Sequence, residues 1–237
     1  MVQYSHSNSV MEARNHFKNG ASPKSQMSRI NLLFFIGITI VAMCSCQSKL
    51  SIEEMSSKEL LQKSLESPVI GLIFAFNDPC ATGISRFMKE CPEFRELYFR
   101  SDFTSVLIEE YSKFDPLAID PKWSDLQTGQ YTFHFLYIEF FLSQKVNQIE
   151  KPDLRYLKEM AISNYQKKKM RLDVYGMGLA SSAALCASII MNVNPDILEV
   201  YQDIYGYIPI HRFICSLVGV PSGYFDEIVD VLKNIEI

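Results

Sequence analysis

The chain has 237 residues, about half of them apolar and about a fifth charged, with a formal net charge of −4. That length supports one well-buried domain or two small ones, and the ordinary composition excludes disorder for most of the chain. Residues 1–45 carry four basic side chains against one acidic, and the rest carries 19 basic against 26 acidic. An acidic body lacks the positive stripe that a general nucleic-acid binder needs, so no nucleic-acid partner is expected.

Residues 1–26 are polar and rich in Ser, Asn and His. They are expected to be a mis-called leader, with translation starting at Met27, so His6 and His16 are set aside. The next stretch, 27–45, places Arg29 before twelve apolar residues from Leu32 to Met43, then the small Ser45 directly before Cys46. A positive n-region, a short apolar h-region and a small residue form the layout of a secretory signal. Twelve residues span roughly 18 Å as a helix, against about 30 Å of hydrocarbon. The segment resembles a bacterial lipoprotein signal, and its relaxed pattern with a CQSK start is similar to those of Bacteroides-type bacteria. It departs from the commonest form in having Met43 and Cys44 where Leu and a small residue usually stand. The resemblance implies lipidation at Cys46, a membrane partner through that lipid, and an address in the cell envelope, on the outer rather than the inner membrane.

Residues 46–55 read as a tether and 56–237 as a single helical domain. Ser56 and Glu59 fit a capping box that starts a helix running to about Glu66. The apolar run Val69 to Phe76 suits a buried strand or a buried helix equally, because periodicity does not separate the two. Phe103, Val106, Leu107, Tyr111 and Phe114 recur at helical spacing, with Ser101 or Asp102 as the cap. Asp115 to Gln130, with two prolines and the only tryptophan, is expected to be a long loop pinned to the core by Trp123.

Tyr131 to Leu142 is apolar nearly all round but contains His134 and Glu139, which predicts a central core helix. Leu154, Leu157, Ala161 and Tyr165 form another stripe, leaving Lys158, Glu159 and Lys167 for water. Lys167, Lys168 and Lys169 then read as a solvated helix end, where cations suit the dipole. Asn194-Pro195 opens a helix expected to stop near Gly206, and Phe225, Ile228, Leu232 and Ile235 mark the last one. No period-two alternation appears. The expected fold is all-α, a compact orthogonal array, with irregular solenoid-like stacking as a variant.

Gly178 to Ala184 spell GLASSAA. That is nearly the phosphate-cradling loop of the GHMP-type small-molecule kinases, in which a helix N-terminus holds nucleotide phosphates. The match ends there: Val174 stands where the family has proline, the preceding residues read as helices, and about sixty residues follow. The same letters describe small residues at Ala180, Ala184 and Ala187 that let another helix approach. On this reading Gly176 and Gly178 make the turn and the Ser181 hydroxyl only caps or faces water.

Of the remaining candidates, His134 and His211 have no partner at metal-ligand spacing, and Cys80, Cys91, Cys186 and Cys215 form no CxxC pair. No cofactor or metal is expected, the cysteines are expected to stay free, and Glu109-Glu110 and Asp226-Glu227 are too close in sequence to read as acid–base couples. The functional expectation is a lipid-anchored envelope protein with a non-enzymatic binding or structural role. An envelope hydrolase assembled from distant residues is the alternative: a deep polar pocket around His134 or His211 would mark it, and a broad exposed apolar patch would mark a binder.

Overall fold

The computed structural model describes residues 51–74, 80–175, 178–197 and 222–237. Cys46, Gly176, His211 and Cys215 therefore lie outside the described residues, as does the helix expected to run to Gly206 beyond Ile197. Among those described, the chain is all-α, with nine α-helices, three short 3-10 turns and no strand. The helices are α1 (Ser57–Leu65), α2 (Cys80–Glu90), α3 (Pro92–Tyr98), α4 (Phe103–Ser112), α5 (Asp125–Lys145), α6 (Lys151–Lys169), α7 (Leu172–Tyr175), α8 (Gly178–Val193) and α9 (Ser222–Lys233).

Local signals start several of these helices. Ser56 accepts from the Glu59 amide at 3.3 Å, and the Glu59 carboxylate accepts from the Ser56 amide at 2.8 Å, so the expected capping box opens α1. A second box, Ser124 with Gln127, opens α5 at Asp125. The expected loop over 115–130 is thus shorter than the two prolines suggested, because its last residues already satisfy one another's backbone donors. Trp123 meets Tyr131 edge-on at 5.3 Å, and the Tyr131 hydroxyl donates to the Asp115 carbonyl, which holds the remaining loop down. Asp102 precedes α4 without capping it, since its carboxylate accepts from Ser57 Oγ at 2.8 Å instead.

The apolar run after α1 resolves into a 3-10 turn, Ile70–Ile73. It packs on α2, where Gly83 brings helix and turn backbones together: a β-carbon there would collide with the Ile73 carbonyl.

The expected stripes are buried. Phe103, Val106, Leu107 and Tyr111 on α4, Leu154, Leu157, Ala161 and Tyr165 on α6, and Phe225, Ile228 and Leu232 on α9 all join one continuous core. The helix over Tyr131–Leu142 is central only in part. It is buried from Phe135 to Ser143, while Phe133 and Leu126 face outward.

The centre of the array is α8, which packs against α5, α6 and α9. Its residues from Gly178 to Ile190 are all buried. The small side chains of GLASSAA permit three helices to approach at once, since interhelical distance depends on the side chains at the contact. Cys91 and Cys186 are free and buried, and Cys80 is buried as well.

Gly83 and Gly129 test this account, because both are helical and only one is a contact. Gly83→Ala should cost about 1–3 kcal/mol in chemical denaturation, as overpacking does. Gly129 has nothing within 4 Å of a β-carbon, so Gly129→Ala should stabilise by about 0.5–1 kcal/mol. Equal effects at the two positions would contradict the close turn-on-helix contact.

Candidate functional site

Glu139 lies in the second half of α5, fully buried, and Lys168 lies in the last turn of α6, 2% exposed. Lys168 follows Ala161 and Tyr165 at helical spacing, so it falls on the inward stripe of α6. It is not part of a solvated end, contrary to expectation, because the two lysines beside it take the surface positions. Lys167 pairs with Asp115 at 3.1 Å and Lys169 with Asp226 at 2.7 Å.

The Lys168 ammonium donates to both oxygens of Glu139, at 2.9 and 2.8 Å, and also reaches Ser182 Oγ at 3.0 Å and the Gly178 carbonyl at 3.3 Å. Ser182 Oγ donates to Glu139 Oε1 at 2.7 Å, and Tyr111 Oη donates to the same oxygen at 2.9 Å. Ser181 Oγ donates to Glu139 Oε2 and also lies 2.9 Å from the Gly178 carbonyl. Asn164, also buried, lies beside the Tyr111 hydroxyl. Burial first, and the Glu139 charge second, hold the Tyr111 hydroxyl well above its usual pKa, so it stays a donor. Burial likewise pushes the Cys186 thiol up, keeping it protonated.

These contacts revise the role of GLASSAA. The first turn of α8 does face an anion, but the anion is the protein's own Glu139. The positive end of α8 favours that carboxylate, and the negative end of α6 favours Lys168. Ser181 does not merely cap or face water. It completes the hydrogen bonds of a buried carboxylate, which costs far less when every lone pair has a donor. The cluster joins α5, α6 and α8 through one buried carboxylate and the ammonium and hydroxyls that donate to it.

His134 sits elsewhere, half-buried, with Nε2 3.4 Å from Glu110 Oε1. Burial, opposed by the Glu110 carboxylate, holds the imidazole below its usual pKa, so it is neutral at pH 7. Glu110 and Glu109 also line a groove of about 150 Å³ between α1 and α4, shared with Lys58 and Lys113. The two acids and two lysines pair with each other, with Lys58 on Glu109 and Lys113 on Glu110, both at 2.6 Å. Asp226 likewise takes Lys169 and the Tyr165 hydroxyl. A second, more open groove of about 240 Å³ lies between the ends of α5 and α8, lined by the uncharged Ser143, Gln144, Asn147, Ser188 and Asn192. No group of three potential metal ligands occurs among the described residues.

Lys158, expected in water, is also buried. Its ammonium donates to the Ile235 carbonyl at 2.5 Å and lies 3.4 Å from that of Lys233, tying α6 to the chain end after α9. Sequence reasoning missed Glu139, Lys168, Ser181, Ser182 and Tyr111 as one unit. The available signal was positional: each polar residue falls on an apolar helical stripe.

Two measurements follow from this geometry. Lys168→Met and Glu139→Gln should each cost about 3–5 kcal/mol in urea denaturation, since each strands a buried partner. Ser181→Ala should cost about 1–3 kcal/mol. The Lys168→Met/Glu139→Gln double variant should cost clearly less than the two single changes summed, and additivity would mean the charges do not interact.

The second measurement concerns His134. Its folded pKa lies below the unfolded value near 6.5, so the unfolded chain binds more protons as the pH drops below 7. The stability contribution is present above about pH 6.5 and is lost on acidification. His134→Gln should flatten the fall in melting temperature between about pH 7 and pH 5; an unchanged slope would show that His134 titrates freely.

No family model matches this chain, and neither a curated protein nor a solved structure matches it. A functional reading therefore rests on its own residues.

Proposed function

We propose that the protein is a lipid-anchored component of the bacterial cell envelope, held to the outer membrane through Cys46, and that it acts as a non-enzymatic binding module for a protein partner. The anchor is supported by the order of Arg29, the apolar run and Cys46. The observation that carries the binding role is the outward face of α5. Leu126 is 70% exposed and Phe133 54%, and they lie two turns apart on one side of the helix. Gly129 between them leaves open space. Large apolar side chains aligned this way, with a gap between, suit a partner's side chain entering the gap. Among the described residues no helix is long and apolar enough to cross a membrane, so this face is not read as a span.

A hydrolase is the second reading, and it has one observation in its favour: neutral His134 beside Glu110, next to the groove between α1 and α4. The two readings separate in one set of variants. Cys46→Ala should abolish labelling by a fatty-acid probe in cells, whereas Cys44→Ala should not. Leu126→Glu and Phe133→Glu should leave the melting temperature nearly unchanged, because both positions are exposed, and should remove the crosslinked partner band from envelope fractions. If those bands persist and His134→Gln instead abolishes a hydrolytic activity of the purified protein, the enzyme reading replaces the binding one.

A further inference from the structure

Phe99 is the most exposed of the large apolar side chains among the described residues, at 75%. It follows directly on α3, and its ring stands edge-on to Tyr98 with centroids 5.5 Å apart. The 3-10 turn Ile52–Glu54 packs on this same helix. Arg100, the residue after Phe99, closes that contact. Its Nη1 donates to the Met55 carbonyl at 2.6 Å and Nη2 to the Glu53 carbonyl at 3.3 Å. The start of the helical body and Phe99 thus occupy one end of the molecule, joined by one guanidinium. Lys145 completes that end: its stem is buried and its ammonium lies 3.7 Å from the centre of the Tyr98 ring.

Five residues lead from Cys46 to Ser51. A fully extended chain covers at most about 3.5 Å per residue, so a lipid on Cys46 keeps Ser51 within about 18 Å of it. That is of the order of the headgroup layer's depth plus one side chain. The end of the molecule bearing Phe99 is the end that such a tether holds against the bilayer.

We propose that Phe99 is a bilayer-contact residue: with Cys46 acylated, its ring enters the boundary between headgroups and acyl chains and sets the orientation of the domain on the membrane. This rests on the anchor proposed above. Aromatic rings suit that boundary, and a lone ring orients a tethered domain without being able to hold it there alone. Charge does not drive the contact, because Glu53, Glu54, Glu93 and Glu96 at least balance Arg95, Arg100 and Lys145 at this end, with Arg100 already paired to Glu96. Contact with a neutral lipid surface should therefore equal contact with an anionic one.

Full-length protein carrying Phe99→Trp and Trp123→Phe, isolated from membranes, is reconstituted into phosphatidylcholine vesicles containing brominated lipid. Mass spectrometry of the same sample reads the lipid on Cys46. The tryptophan at position 99 should shift to the blue and lose most of its emission. The loss should be the same when a third of the lipid is phosphatidylglycerol, and it should disappear in Cys46→Ala. Protein carrying Phe133→Trp and Trp123→Phe, with Phe99 retained, should keep its emission. An acylated protein with no quenching at position 99 overturns the contact and leaves the anchor standing. Quenching at 99 without lipid on Cys46 refutes that anchor and overturns the lipid-tethered contact proposed here. A blue shift without quenching by brominated lipid assigns Phe99 to a protein neighbour or a second copy, and overturns the proposal.

Discussion

The contact between Lys168 and Glu139 places three helices relative to one another. Glu139 belongs to α5, Lys168 to α6, and the serines that complete the carboxylate's shell belong to the first turn of α8. An ion pair in a low-dielectric core contributes little net stability, since desolvating two charges offsets most of their attraction. What it imposes is position. A shift of one helical turn in any of the three helices would leave a buried charge without its partner. An apolar contact tolerates such slippage far better, because dispersion and burial are non-directional.

That requirement explains the composition of α8. A helix surrounded on three sides needs small residues where backbones approach, and GLASSAA supplies them together with two hydroxyls. Glycine and alanine allow the approach while serine satisfies Glu139, so one short stretch meets both a steric and an electrostatic demand. The likeness to a phosphate loop has the same physical origin: a helix N-terminus with small residues and hydroxyls is suited to an anion, whether a nucleotide or the protein's own carboxylate.

The outer surface follows a different logic. The pairs there, such as Lys58 with Glu109 and Lys169 with Asp226, are exposed, so solvent screens them and they add little to stability. Among the described residues the large apolar side chains left outside are Phe99 after α3, Leu117 before α5, Leu126 and Phe133 on α5, Tyr156 on α6, and Met170 and Leu172 around the turn from α6 to α7. Of these, Leu126 and Phe133 share one side of α5, and Phe99 is the most exposed.

The sequence by itself determined where most helices lie and which faces they bury. Stripes at spacings of three and four identified α4, α6 and α9, and the Ser56–Glu59 box placed the start of α1, because caps and amphipathic faces involve residues within one or two turns. The Ser124–Gln127 box was equally local and would have placed α5 correctly; the prolines before it obscured the signal. Tertiary structure alone decided how the polar residues were used. Asp102 had a cap to offer, but Ser57 on another helix took its carboxylate. Lys168 looked like its two lysine neighbours, and only the rotation of α6 against α5 separated it from them. Glu139 and Ser181 are 42 residues apart, and their pairing depends on which helices pack together. No local pattern encodes that choice, because it follows from burying every helix face at once.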